Sequence, residues 1–457
     1  MATMPPPDDA VLTSEEQLLR VFHDAEKPKH LHRVGAEMEK FGVDRVTGAP
    51  IHFDGERGVS RFLAMLAEDH GWAPESEAPG APVISLTRAG ASITLEPGSQ
   101  LELSGAPLEH AHQICAEFRG HLAEIAPLSE RLGLRWLGLG FHPFARRSDL
   151  DFIPKQRYAI MREYLPRRGA LALDMMLRTS TVQANFDYVD EADAMRKMQL
   201  SLRVQPLVTA MFGNAPFYEG GLFGGKSYRA KVWLEVDPDR SGLVPGLWKK
   251  DAGYKDYVAW ALGVPMFMFK RDGKPVVNTG QSFGSFLEDG FEGHHARYSD
   301  WVTHLNTLFP EVRLKKTIEV RGADAQGAKM ACALPALFTG ILYDARALDD
   351  ALALTESWTL DEVTALRQHV WRDGLASPFR GGTLAPIAEK VMDIAKGGLE
   401  RRKYLSTAGR DERVHLARLE ELVAHGRCPA DLLTEGLAPG KDLTQAILER
   451  ADLGTGH

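Results

Sequence analysis

Apolar and polar positions alternate strictly in several short stretches of the chain, and those stretches carry carboxylates. In VGAEMEKFG, Val34, Ala36 and Met38 fall on one side and Glu37 and Glu39 on the other, because successive side chains of a strand point to opposite faces. In TIEVRGAD the same period sets Thr317, Glu319 and Arg321 against Ile318 and Val320. Residues 82–87 and 91–96 also alternate, and ITLEPGSQLELSG reads as a hairpin turning at Pro97, Gly98 and Ser99, with Glu96 on one arm and Glu102 on the other. RWLGLGFHP, RTSTVQANFDY and YRAKVWLEVD are further predicted strands. A helical period runs from Leu108 to Leu132 and through 58–71, 155–165, 190–212 and 297–308. An earlier helix is expected behind Thr13 or Ser14, with Glu16 as its capping-box partner. From about residue 330 nearly everything is helical. Strand and helix do not alternate with regular β-α-β spacing, so the expected fold class is α+β with a largely antiparallel sheet. Residues 1–12, rich in Pro and Asp, are expected to be disordered, and 13–457 to form one domain.

One acidic pair on a strand is ordinarily a solvated face. Three strands presenting Glu37, Glu39, Glu102 and Glu319, with Glu96 beside them, instead suggest a place built for positive charge, and Mg²⁺ takes oxygen ligands from carboxylates and phosphates. Arg157, Arg178, Arg229 and Arg321 each sit in a mixed segment outside any charge run. Guanidinium forks grip carboxylate and phosphate in a bidentate manner, although any single one of these arginines is better explained by a structural ion pair. Together the two sets describe a pocket for divalent cations, a polyphosphate and an acidic small molecule. Phosphoryl transfer needs little more, being mainly positioning and charge neutralisation.

The chain has 457 residues, 44% hydrophobic, with a formal net charge of -8, which argues against nucleic acid as a partner. The stretch Val258 to Phe269 contains Pro265 and is too short to span a bilayer. The N-terminal segment has neither a basic nor an apolar signal region, and the three cysteines, Cys115, Cys332 and Cys428, are too scattered for a disulfide scaffold or zinc site, so a cytoplasmic location is the expectation. GGLFGGKS at 220–227 meets the spacing of a phosphate loop but lacks its strand-to-helix context, and reads as a mobile glycine loop near a substrate. LGLGFHP lacks the third glycine of a dinucleotide fingerprint.

Ten blocks in order, among them VGAEMEKFG, ITLEPGSQLELSGAPL, IPKQRYAIMREYLP, LDMMLRTSTVQANFDY, FPEVRLKKTIEVRGAD and GLERRKY, resemble glutamate–cysteine ligases of the plant and proteobacterial type. The resemblance spans about residues 33–403. It implies a fold related to glutamine synthetase, in which a curved antiparallel sheet forms a funnel with an acidic inner face, and ATP-dependent joining of the glutamate γ-carboxylate to the cysteine amine through a γ-glutamyl phosphate. ATP and Mg²⁺ would be bound, with glutamate and cysteine as the other small-molecule partners and a monomer or homodimer as the assembly. On the matching positions, Glu37, Glu39, Glu102 and Glu319 resemble the metal carboxylates, with Glu96 a lesser candidate, and Gln183 stands where a distant relative uses a histidine. Arg157 and Arg229 resemble the arginines for glutamate and phosphate, Arg321 one beside the last metal ligand, and Arg178 joins Arg229 as a nucleotide candidate. Cys115 and Cys332 resemble a regulatory disulfide pair, leaving Cys428 free. A second cysteine pair typical of plants and an Arg- and Ser-rich transit segment are both missing, which points to a bacterial, cytoplasmic enzyme. Two alternatives keep the same site: a γ-glutamyl ligase for another amine or thiol pathway, and a non-catalytic nucleotide-binding relative.

Overall fold

The computed structural model describes residues 9–454. Its centre is a nine-stranded sheet: β1 Val34–Asp44, β2 Ala73–Ser76, β3 Val83–Arg88, β4 Ala91–Leu95, β5 Leu101–Ser104, β6 Leu134–Leu137, β7 Thr181–Phe186, β8 Val312–Leu314 and β9 Ile318–Asp324. The order is β8-β9-β7-β1-β5-β4-β3-β2, with β6 pairing the far half of β1, and every pairing is antiparallel. Helices flank the sheet, as the α+β expectation required.

The alternation in β1 is what the structure uses. Val34, Ala36 and Met38 are buried against the helix Ala111–Leu132 and its neighbours, while Gly35, Glu37 and Glu39 face the other way. β7 and β9 bury Val182, Ala184, Phe186, Ile318 and Val320, and the Phe186 ring lies 6.0 Å from that of Phe338 in the helix Ala333–Leu342. The β4–β5 hairpin turns where the sequence placed it: the Ser99 N–H donates to the Glu96 carbonyl at 3.0 Å, and Ser99 is left-handed at φ 68°. A side chain at Gly98 would meet the Leu177 carbonyl oxygen at 2.3 Å, so glycine lets this turn press on the helix Ala172–Arg178.

Four expectations are corrected. YRAKVWLEVD is not a strand: Ser227 Oγ accepts the Ala230 N–H at 3.0 Å and starts the helix Tyr228–Val232, because the cap satisfies a backbone donor that a lone short strand would leave unpaired. The first helix, Glu16–His23, takes its capping contact from Gln17, not Glu16; Gln17 Oε1 accepts the Thr13 and Ser14 N–H groups at 2.7 and 3.1 Å. Of the segment expected to be disordered, residues 1–8 lie outside the described residues, but Leu12 is buried and its N–H donates to the Ala296 carbonyl at 2.8 Å. The glycine loop at 220–227 is fastened: the Lys226 and Ser227 N–H groups both donate to the Trp371 carbonyl, and Lys226 pairs with Asp431 at 2.5 Å. Beyond residue 330 the described chain is mostly helical, as expected, broken by loops at 403–411 and 435–443 and by a short hairpin pairing 378–379 with 382–383.

Candidate active site

The register of the central strands gathers the acids. Glu39 is directly opposite Glu102 across β1 and β5, and Glu37 is opposite Gln183 across β1 and β7. With Glu96 from the hairpin turn they line one cavity, which Arg157, Arg229, Arg313 and Arg321 also line. The carboxylates are held by neutral donors: Asn185 Nδ2 to Glu37 at 3.0 Å, the Thr181 N–H to Glu39 at 2.9 Å, and the Ser104 hydroxyl to Glu102. Such donors do not cancel charge. Burial, then Glu96 and Glu102, push the Glu39 carboxyl well above the usual range. Burial, then Glu37 and Glu96, push Glu102 up to about 8, and burial followed by Glu319 raises Glu37. Among the described residues no three His, Cys, Asp or Glu side chains already converge as an ion cage. The donor set is all hard oxygen, which suits Mg²⁺ better than a soft metal.

Glu319 behaves differently from the other acids. It stands opposite Asn185 on β7, but Arg313 Nε and Nη2 grip its two oxygens at 2.5 and 3.0 Å, with Lys315 at 3.4 Å and Arg321 at 3.2 Å. Burial pushes its carboxyl up, and these three cations outweigh that and hold it well below the usual range. The sequence reading placed Glu319 among the metal carboxylates; in the structure it is fully buried in ion pairs with Arg313, Lys315 and Arg321 and does not line the cavity. Arg313 was missed, and its signal was the hairpin VRLKKTIEV, whose register sets Arg313 opposite Glu319.

The arginines also separate. Arg157 reaches the cavity with its guanidinium 5.3 Å from the Tyr158 ring, and its buried Nε has no hydrogen-bond partner. Arg229, on the helix Tyr228–Val232, donates through Nη2 to the Arg321 carbonyl at 2.8 Å and lies 3.8 Å from Asp324. Arg321 sits in a bulge of β9, between the pairs at Val320 and Ala323, and donates to Gln183 Oε1 at 2.6 Å. Gln183 thus links the basic wall to Glu39, to which its Nε2 donates at 3.4 Å. Arg178 does not line this cavity. It is buried under the Phe141 and Tyr218 rings and paired with Asp174 at 3.0 Å and Glu219 at 3.4 Å, so its fork is occupied by structure.

Cys115 and Cys332, far apart in sequence, are neighbours in the fold; all three cysteines are buried free thiols, with no disulfide. A hydrogen bond with the Cys332 thiol, opposed by burial and helped by His415, brings the Cys115 thiol down to about 5. Among the described residues, no helix is long and apolar enough to cross a membrane.

Residues 33–447 match the profile of glutamate–cysteine ligase family 2. The chloroplastic glutamate–cysteine ligase of Brassica juncea is 43% identical over 442 residues, covering 95% of this chain and 84% of the relative. That of Arabidopsis thaliana is 42% identical over the same length, covering 95% and 83%. In three dimensions the fold is similar to a crystal structure of glutamate–cysteine ligase from Francisella tularensis in complex with AMP, with TM-score 0.53 and 13% identity, covering 92% of this chain and 87% of that one. The cytoplasmic expectation is contradicted by the names of these relatives, which are chloroplastic enzymes. That expectation rested on an address signal and cysteine usage, neither of which the catalytic fold encodes. A profile match over most of the chain, with relatives above 40% identical along nearly all of it, establishes that this chain belongs to glutamate–cysteine ligase family 2.

Proposed function

We propose that this protein joins the γ-carboxylate of L-glutamate to the amine of L-cysteine with cleavage of ATP, forming γ-glutamylcysteine, the first step of glutathione biosynthesis. The observation that carries the proposal is one cavity lined by four carboxylates, Glu37, Glu39, Glu96 and Glu102, and four arginines, Arg157, Arg229, Arg313 and Arg321. The names of the relatives, and the AMP bound to the similar structure, support it.

Glu37, Glu39 and Glu102, with Glu96 beside them, would hold Mg²⁺, which supplies charge neutralisation for the ATP phosphates and the attacking carboxylate. Arg157, which lines the cavity, would take the substrate α-carboxylate. Arg229 and Arg321, braced by each other and by Gln183, face the side where phosphate charge develops and stabilise it without reorganising. Glu319 fixes the orientation of Arg313 and Arg321. The γ-carboxylate attacks the γ-phosphorus, giving γ-glutamyl phosphate, and the amine then displaces phosphate from this acyl group. One hydrophobic cluster running from Leu12 to Leu453 supports reading residues 13–457 as one catalytic unit, helical in its C-terminal part. The neighbouring Cys115 and Cys332 supply the material for a reversible disulfide.

The test is phosphate release by the purified protein with ATP, Mg²⁺ and glutamate against a panel of amines, with product masses. Cysteine should be preferred, with γ-glutamylcysteine as product. Preference for another amine would replace the acceptor, and ATP binding without phosphate release for any amine would reject the enzyme reading.

A further inference from the structure

A second cavity, of about 110 Å³, opens where the start of β1 meets the helices Glu191–Met211, Ala345–Thr355 and Ala385–Arg402. It shares no lining residue with the acidic cavity. It is smaller than the roughly 300–1,000 Å³ of sites for drug-sized ligands, so its scale is that of a small ion or group, not of a nucleotide.

Among the described residues five cations line it: Lys29, Arg33, Arg196, Lys197 and Arg402. Three are committed to carboxylates. Arg196 pairs with Asp349, Lys197 with Asp193 at 2.8 Å, and Arg402 with Glu412 at 3.2 Å. The Lys29 ammonium has no hydrogen-bond or ion-pair partner among the described residues, and Arg33 spends only Nη1, on the carbonyls of His32 at 2.8 Å and His30 at 3.5 Å. Its Nε and Nη2 donors stay free. Of the two acids in the lining, Asp193 is taken by Lys197, and Glu109 accepts the Tyr404 hydroxyl at 2.9 Å with no cation on it. That leaves two uncommitted cations against one carboxylate.

The buried member of the set is short of acceptors too. Lys197 is at 2% exposure, and an ammonium has three donors. Two go to Asp193 and to the Asp187 carbonyl at 3.0 Å, and one has no acceptor. Burial lowers the Lys197 ammonium from its usual range, Asp193 opposes this, and the like charge of Lys29 adds to it. His32, buried beside them with Nε2 donating to the Lys27 carbonyl at 3.0 Å, is lowered first by burial and then by Lys197. An anion among these groups would meet the free donors and relieve the repulsion. The free donors of Lys29, Arg33 and Lys197 outnumber what one carboxylate can accept, and a phosphate brings more oxygens and a second charge.

We propose that this cavity binds a tetrahedral oxyanion, a phosphate ion or the phosphate of a small monoester, gripped by the Arg33 fork, Lys29 and Lys197. The site is separate from the ligase cavity and stands whether or not the proposed reaction does.

The experiment follows the thermal unfolding midpoint of the full chain against sodium phosphate, glycerol 2-phosphate or sodium acetate, with ionic strength held by sodium chloride so that screening stays constant. Phosphate should raise the midpoint along a saturable curve, and acetate should not. Lys29→Gln, at an exposed position whose ammonium has no partner to lose, should weaken the apparent affinity about threefold and leave ligase activity unchanged. Arg33→Gln, which removes charge-assisted hydrogen bonds, should weaken it about tenfold. Arg157→Lys, in the acidic cavity, should leave it unchanged. Glycerol 2-phosphate as effective as phosphate would identify a monoester as the ligand, and a response to phosphate alone would identify the free ion; either supports the site. No saturable rise, an equal rise with acetate, wild-type affinity in both Lys29→Gln and Arg33→Gln, or a loss that falls on Arg157→Lys in their place would each overturn the assignment.

Discussion

Loading the acidic cavity with Mg²⁺ should expel protons. A ligating carboxylate must be ionised, and in the empty protein the Glu102 carboxyl titrates at about 8. At pH 7 a group titrating there is about 90% protonated, so Glu102 alone should release about 0.9 proton per ion bound. Glu39, also pushed well above its usual range, adds to this, and the total should lie between about one and two protons. Apparent affinity should therefore rise about tenfold per pH unit for each proton released, up to about pH 8. Stability of the empty protein should move the other way. A carboxyl whose folded value is raised contributes stability that is complete below its unfolded value and is lost as pH climbs through about 8, so saturating Mg²⁺ should protect most at alkaline pH. The assay is titration calorimetry with MgCl₂ at pH 7 in two buffers of different ionisation enthalpy, where the dependence of the heat on the buffer counts protons. Glu102→Gln should lower that count by close to one. Heats independent of buffer, or an unchanged count in Glu102→Gln, would refute the metal site.

The acids should also divide by stability. Glu319→Gln strands Arg313 and Arg321 without their counter-charge and should cost about 3 kcal/mol in denaturant unfolding, whereas Glu37→Gln and Glu39→Gln relieve repulsion, should keep the wild-type midpoint, and should lose ATP turnover. Equal destabilisation of all three would show that the acids form one class. Arg157→Lys and Arg229→Lys keep charge but lose the fork, so calorimetry should show glutamate binding weakened more than ATP binding; unchanged glutamate affinity in both would mean that other arginines hold it. Mild oxidation followed by thiol blocking and peptide mapping should yield a Cys115–Cys332 linked peptide with Cys428 alkylated, and alkylation of all three would reject the pairing.

Much of the acidic wall was legible because a strand has period two: once VGAEMEKFG and QLELSG are strands, Glu37, Glu39 and Glu102 must share faces. The turn at 97–99 fixes the register of β5 against β4 only, so the pairing of Glu39 with Glu102 across β1 and β5 had to come from the structure. The basic wall was less legible. Arg178 and Arg157 look alike in sequence, and only tertiary packing puts Phe141 and Tyr218 over one and an open cavity beside the other. Arg313 was hidden because its role depends on a hairpin partner six residues away. The helix at 228–232 was misread because its apolar residues fit both periods and one serine cap decided between them.

Because the acids are paired by register, length changes and substitutions are unequal hazards for descendants of this chain. A residue inserted in β5 ahead of Glu102 would reverse the parity of that strand, turning Glu102 toward the core and Leu101 or Leu103 toward the cavity. The turn that precedes it has little slack to absorb such an insertion, since Gly98 already abuts Leu177 and Ser99 is left-handed. Lineages should therefore accumulate insertions and deletions in the loops between the C-terminal helices, while the interval from Thr94 to Ser104 keeps its length even where its residues drift.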